Sequence, residues 1–108
     1  MTTTRIASQL PQSLMADIVS KTDQYERLLA EALDAATIAP PRETPLGAAA
    51  LECVEMARSY LKDGRHFRDE EDLVNALAAF SYGHGWLDAA ARCGLLDVPR
   101  EGHLFTVD

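Results

Sequence analysis

The sequence predicts an all-α fold, a three-helix bundle with a long N-terminal helix packed on an antiparallel helical hairpin. Three observations predict it. Apolar residues recur at intervals of three and four through three long stretches, the spacing that puts them on one face of a helix. Alanine supplies much of the 47% hydrophobic content, and it favours helix over strand. The stretches are separated by a proline-rich segment and by an acidic run, and no convincing strand pattern lies between them. The chain has 108 residues, enough for one core and too few for two.

The chain is expected to divide into a flexible N-terminus (1–10), one helical domain (11–98) and a C-terminal tail (99–108). Residues 1–10 are polar, with three consecutive threonines and no periodicity. Pro11 stands where a first-turn proline would, and a helix is expected from there to Ile38. Its stripe is Leu14, Ile18, Tyr25, Leu29, Ala32 and Ala36, widened by Leu28 and Leu33. Asp17 with Lys21, and Asp23 with Arg27, are four apart with the acid first, the favourable order for exposed pairs. At about 1.5 Å per residue this helix is ~40 Å long against ~35 Å for the hairpin. The excess leaves apolar surface, such as Ile38, for a partner.

Pro40, Pro41 and Pro45 exclude helix from the next segment, because proline lacks the amide donor and clashes with the preceding turn. Thr44 is the expected N-cap of the second helix (45–67), with Pro45 at its first position. Its stripe runs through Leu46, Ala50, Cys53 with Val54, Ala57, Tyr60 with Leu61, Gly64 and Phe67. Gly64 is a weak point at which a turn would start. The acidic run Asp69–Asp72 offers an N-cap and places negative charge at the positive end of the third helix (70–93). Leu73, Leu77, Phe80, His84, Leu87 and Ala91 stripe that helix, and neighbouring stripes make it apolar almost all round near its start, so it is expected to be central. Gly94 stands at the C-cap, and Pro99 prevents a return to helix. The tail, through Leu104 and Phe105, either folds on the bundle or serves as a partner-binding peptide. The short loop after the second helix makes its neighbours antiparallel. The pair has the look of a tetratricopeptide unit, but a single pair is not a repeat array.

Charge narrows the function classes. Seventeen acidic side chains against ten basic ones give a net charge of −7, and only Lys21 and Lys62 are lysines. A surface of that kind suits a halophilic, salt-rich cytoplasm, where screening removes self-repulsion. It argues against nucleic-acid binding, which needs a basic footprint. No apolar run approaches the ~20 residues that span a bilayer, and the first residues lack the core of a secretion signal, so a cytoplasmic, membrane-free setting is expected. Cys53 and Cys93 sit in no Cys-x-x-Cys pair and read as two small buried thiols.

The densest polar and aromatic segment is Ser81–Asp88. Gly83 and Gly85 inside a helix each cost about 1 kcal/mol relative to alanine, which close approach of another helix or room for a ligand would offset. His84 and Asp88 are four apart, so a carboxylate can orient the imidazole. Alternatively Asp88 takes a structural donor from Tyr60, Tyr82 or Trp86. Asp63 and His66 lie near the turn, too far along the hairpin to join His84 in a metal site, and the chain has no Glu-x-x-His pair. The serines lie in no nucleophile elbow, and a hydrolase built on His84 and Asp88 would lack a nucleophile and an oxyanion donor. No phosphate-cradling glycine loop follows a strand.

Tyr60-Leu61-Lys62-Asp63, Phe67, Asn75-Ala76, the run Ser81-Tyr82-Gly83-His84-Gly85-Trp86-Leu87-Asp88-Ala89 and Gly94-Leu95 together resemble the archaeal family called domain of unknown function 357. The resemblance covers roughly Asp23 to Val98, and Tyr82-x-x-x-Trp86-Leu87-Asp88 is its most specific part. It implies a short helical protein of archaeal origin, with Tyr60, Asp63, Phe67, Tyr82, Trp86 and Asp88 at signature positions. It implies no activity. The sequence departs from the family pattern at Gly64, where alanine is expected, and at Glu71-Asp72, where Gly-Asp is usual.

Two functions are therefore expected to compete. The first is a non-enzymatic module that self-associates or docks on a protein partner, with no cofactor. The second is a small-ligand or metal-binding protein with a site around Tyr82, His84, Trp86 and Asp88, with Tyr60 and Asp63 as further ligand-binding candidates.

Overall fold

The computed structural model describes residues 11–106. Three helices pack against one another: α1 (Gln12–Ala35), α2 (Pro45–Asp69) and α3 (Leu73–Arg92). Two short strands, β1 (Thr37–Ile38) after α1 and β2 (Leu96–Asp97) after α3, form an antiparallel pair. The expected flexible N-terminus, residues 1–10, lies outside the described residues.

α1 is shorter at both ends than its periodicity suggested. It begins one residue after Pro11, and it stops at Ala35 because the chain turns extended at Ala36 and pairs with the segment after α3. Thr37 faces Asp97 and Ile38 faces Leu96, and Ala39 donates to the Leu95 carbonyl at 3.0 Å. Ile38 therefore packs on the core and is not the surplus apolar surface expected of it. Two-residue strands carry too few residues for any period-two pattern, which is why the sequence did not reveal them.

Thr44 caps α2 as expected: its hydroxyl oxygen accepts from the Gly47 amide at 3.0 Å, with Pro45 in the first turn. Gly64 does not start a turn. α2 runs on for five more residues to Asp69, and Gly64 is buried beneath the Phe80 ring. The turn Glu70–Asp72 then reverses the chain. Glu71 lies at φ 62°, its amide donates to the Arg68 carbonyl at 2.9 Å, and the Asp72 amide reaches back to Phe67 at 2.8 Å. This is a Schellman end, whose left-handed position usually holds glycine. Asp72 is the member of the acidic run that caps α3, accepting from the Asn75 amide at 3.2 Å. α3 ends in a second Schellman turn, with Gly94 at φ 77°, Gly94 donating to Ala91 and Leu95 to Ala90. The two turns have the same hydrogen bonds, one built on glycine and one on glutamate.

Leu29, Phe80 and Leu87 are fully buried at the centre, each on a predicted stripe. Between them the contacts are made by Ala32, Ala50, Ala57 and Ala76, all at 0% exposure. Small side chains at these positions let the helix axes approach closely. Gly83 completes the approach: a Cβ there would lie 2.8 Å from Leu29 and 2.9 Å from the Tyr60 Cβ. α3 is central, as expected, touching both other helices and β2. Leu46, placed on a predicted stripe, is instead exposed, and so is Val74. Thr22 is fully buried, its hydroxyl satisfied by donating to the Ile18 carbonyl at 2.7 Å.

One ion-pair cluster fixes α1 on the last turns of α2. Arg68 bonds Glu26 at 2.7 Å and also reaches Asp23, while Arg65 bonds Glu26 at 2.8 Å. Asp23 thus serves α2 and not its own-helix neighbour Arg27. Partial burial lowers the Arg68 pKa on its own, and the bonds and charges of Asp23 and Glu26 outweigh it, leaving the guanidinium above its ordinary value. Because the cluster lies at the turn end of the hairpin, the start of α1 projects past it. Residues 12–21 include none that is buried, and Leu14 and Val19 are 48% and 40% exposed.

Candidate functional site

The Ser81–Asp88 segment is helical throughout, so its side chains divide by angle around α3. Gly83 and Leu87 point inward. Tyr82 and Trp86, four apart, point outward and are 64% and 38% exposed. Tyr82 meets Tyr60 of α2 edge-on, with ring centroids 5.0 Å apart. Gly85 lies on the same outward side, and a Cβ built there would meet nothing within 4 Å among the described residues. Close packing therefore accounts for Gly83 but not for Gly85.

His84, Asp88 and Arg92 form a different ridge, each four residues from the next, and the tail lies along it. His84 donates from Nε2 to the Leu104 carbonyl, and its ring lies 6.0 Å from that of Phe105. Asp88 accepts from the Thr106 amide at 2.8 Å through Oδ1 and from the Thr106 hydroxyl through Oδ2. Arg92 donates to the Thr106 hydroxyl oxygen at 2.9 Å and to its carbonyl at 3.2 Å. Phe105 between them is 6% exposed and belongs to the core. Of the two fates open to the tail, folding on the bundle is the observed one.

Asp88 does not take its donor from Tyr60, Tyr82 or Trp86; both its oxygens serve Thr106. Partial burial alone raises its pKa. The side-chain and amide bonds from Thr106, with the charges of His84 and Arg92, more than reverse this, so the carboxyl is held below its usual value. His84 acts on Asp88 through charge, while its own Nε2 hydrogen bond goes to the tail.

The six candidate residues are thus split. Tyr60, Tyr82 and Trp86 are on or beside the outward face of α3, His84 and Asp88 lie under the tail, and Asp63 is exposed on α2. Among the described residues no three His, Cys, Asp or Glu side chains are grouped to hold a metal ion. Cys53 is half-buried and Cys93 is exposed at the end of α3, so the thiols are not both interior as expected. Burial, then Glu52 and Cys93, push the Cys53 thiol above its ordinary pKa. No helix among the described residues is long and apolar enough to cross a membrane.

Sequence reasoning missed Arg92, Leu104, Phe105 and Thr106 as partners of the ridge. The Asp88–Arg92 spacing was visible; the return of the tail had no local signal. It also missed a cleft of about 370 Å³ beside the ion-pair cluster, lined by Asp23, Glu26, Arg27, Ala30, Arg65 and Arg68.

A family model described as "Protein of unknown function (DUF357)" matches residues 24–96. The chain belongs to the DUF357 family. Neither the curated proteins nor the solved structures compared with it gave a match. The DUF357 match takes in the second half of α1, all of α2 and α3, and β1, ending inside β2. The outward face of α3 lies within it. The projecting start of α1 and the Leu104–Thr106 segment lie outside it.

Proposed function

We propose that this DUF357 protein is a non-enzymatic association module that pairs with a second copy through the outward face of α3. One observation carries the reading: Gly85 leaves the middle of an exposed helix face bare, with none of the described residues above it. A mid-helix glycine costs about 1 kcal/mol relative to alanine, and at Gly64 and Gly83 the chain's own side chains explain it. At Gly85 a neighbouring backbone would. Ser81, Gly85 and Ala89 form a ridge at four-residue spacing, the row that interdigitates when helices cross closely. Val74, Tyr82 and Trp86 flank it with exposed apolar surface.

Charge supports the same partner. From Leu73 to Leu87 the helix carries no acidic or basic side chain except His84, in a chain of net charge −7. Two copies repel through their net charge, and a face without charged groups adds least to that repulsion. The Debye length shortens from about 8 Å to about 3 Å between 0.15 M and 1 M salt, so association strengthens with salt. We propose a salt-rich setting without nucleic acid as partner on the same grounds of charge, a cytoplasmic, membrane-free one from the lack of long apolar runs, and an archaeal one from the family resemblance.

The test is sedimentation equilibrium across protein and salt concentration, for the wild type and for Gly85→Gln. Glutamine leaves the net charge unchanged and is a better helix former than glycine, so the monomer stays folded. The expected result is a wild-type dimer whose association constant rises with salt and falls at least tenfold in the variant. Wild-type monomer at every concentration and salt overturns the proposal.

A further inference from the structure

We infer that the His84–Asp88–Arg92 ridge of α3, with the Phe105 pocket beside it, is a peptide-docking site that takes the Leu104–Phe105–Thr106 segment of a second copy in exchange for its own. The inference is independent of the outward face of α3, because the ridge and the bare Gly85 row use different sides of the helix.

The segment meets the ridge as a recognised peptide does. One apolar side chain is buried, at 6% exposure, and every polar group aimed at it is specific. His84 reads the carbonyl of residue 104. Asp88 reads the amide and hydroxyl of residue 106 together, and Arg92 reads that hydroxyl and the carbonyl of the same residue. Asp88 thus requires a hydroxyl on the occupant, and the pocket requires an aromatic ring one residue earlier. The ligand class is a linear segment of the form apolar–aromatic–Thr/Ser.

The connection between the ridge and its occupant is what makes exchange available. Val98 to His103 join β2 to the docked residues, and Pro99 to His103 are all exposed. Gly102, at φ 97°, supplies a bend where glycine is the residue best suited to it. Each of these contacts is made by residues 104–106 and is unchanged if those residues arrive from another copy, the condition for exchange of an element between protomers. A linker of this length gives its own tail an effective concentration of roughly millimolar, so self-docking dominates in dilute wild-type protein. Exchange is exposed by disabling self-docking.

Two full-length variants do this, both on the Gly85→Gln background to silence the outward face. One carries Asp88→Ala and Arg92→Ala, with its tail intact. The other carries Phe105→Ala and Thr106→Val, with its ridge intact. Neither can close on itself, and the mixture pairs the intact tail with the intact ridge. Light scattering after size exclusion is expected to show two monomers separately and a 1:1 heterodimer on mixing. Because Phe105→Ala removes a core ring, helicity by circular dichroism is measured in parallel. A Thr106→Val single variant repeats the mixing if helicity is lost. A labelled synthetic peptide of residues 98–108 is titrated onto the ridge-intact variant, with saturable binding expected and a loss of at least tenfold on adding Asp88→Ala. A mixture that stays monomeric overturns the second copy as occupant, even if the peptide binds. Failure of both overturns the docking site, and leaves the pairing proposed for the outward face untouched.

Discussion

Gly64→Ala should destabilise this protein, although alanine is the better helix former and the expected residue for the family. A Cβ at position 64 would lie 2.3 Å from Cε1 of Phe80, 2.5 Å from Cδ1 and 2.8 Å from Cζ. Phe80 is at 0% exposure, so the ring cannot swing into solvent, and α2 and α3 must separate instead. Overpacking of this kind costs about 1–3 kcal/mol, and three contacts below 3 Å put it at the upper end. The helix-propensity gain returns about 1 kcal/mol, leaving a net loss of about 2 kcal/mol. Urea unfolding followed by circular dichroism should show the midpoint falling by about 1 M at unchanged slope. Adding Phe80→Leu should recover part of the loss, so the double variant is more stable than the two single effects summed. A midpoint equal to or above wild type for Gly64→Ala would refute the reasoning, because the ring would then be shown not to bear on Gly64.

The left-handed turn offers the converse. Glu71→Gly should stabilise by about 1 kcal/mol, since a non-glycine residue at positive φ costs about 1–2 kcal/mol and the added freedom of the unfolded chain offsets part of the gain. The expected rise in Tm is roughly 4–8 °C by thermal denaturation; a fall would contradict the turn geometry. Docking of the tail should be acid-labile. The Asp88 carboxyl is depressed when docked, so its contribution is complete above the ordinary carboxylate pKa of about 4 and is lost as pH falls through the lower, docked value. Hydrogen exchange of the Thr106 amide should speed up below about pH 4 relative to the α3 core, and Asp88→Asn should remove that dependence. An exchange rate for Thr106 with the same acid profile in both proteins would exclude Asp88 as the cause.

The helices were legible because each carries a long stripe read many times over. Leu29, Ala32, Ala57, Phe80 and Leu87 are interior for the reason the spacing gave. Ends were legible where one residue carries the signal, as at Thr44, Asp72 and Gly94. They were not legible where a distant partner decides. Ile38 left helix because Leu96 was there to pair with it, and Gly64 stayed in helix because Phe80 needed the space. The resemblance led to an expectation of glycine at position 71, a pointer to a left-handed position that only the backbone made plain. At the candidate site, the sequence could place His84 four residues before Asp88. It could not show that both would turn toward residues 104–106, because nothing near the tail encodes its return. Tyr82 and Trp86 looked like members of the same cluster because sequence adjacency hides the ~100° between successive helical side chains.

The central claim, that the outward face of α3 is covered by a second copy, has a built-in reporter. Trp86 is the single tryptophan and stands 38% exposed beside Gly85. Its fluorescence, followed from dilute to concentrated protein at high salt, should shift to shorter wavelength and lose accessibility to acrylamide as copies pair. Gly85→Gln should hold the dilute spectrum throughout. An emission maximum and quenching constant that stay the same across the whole range in the wild type would contradict the account.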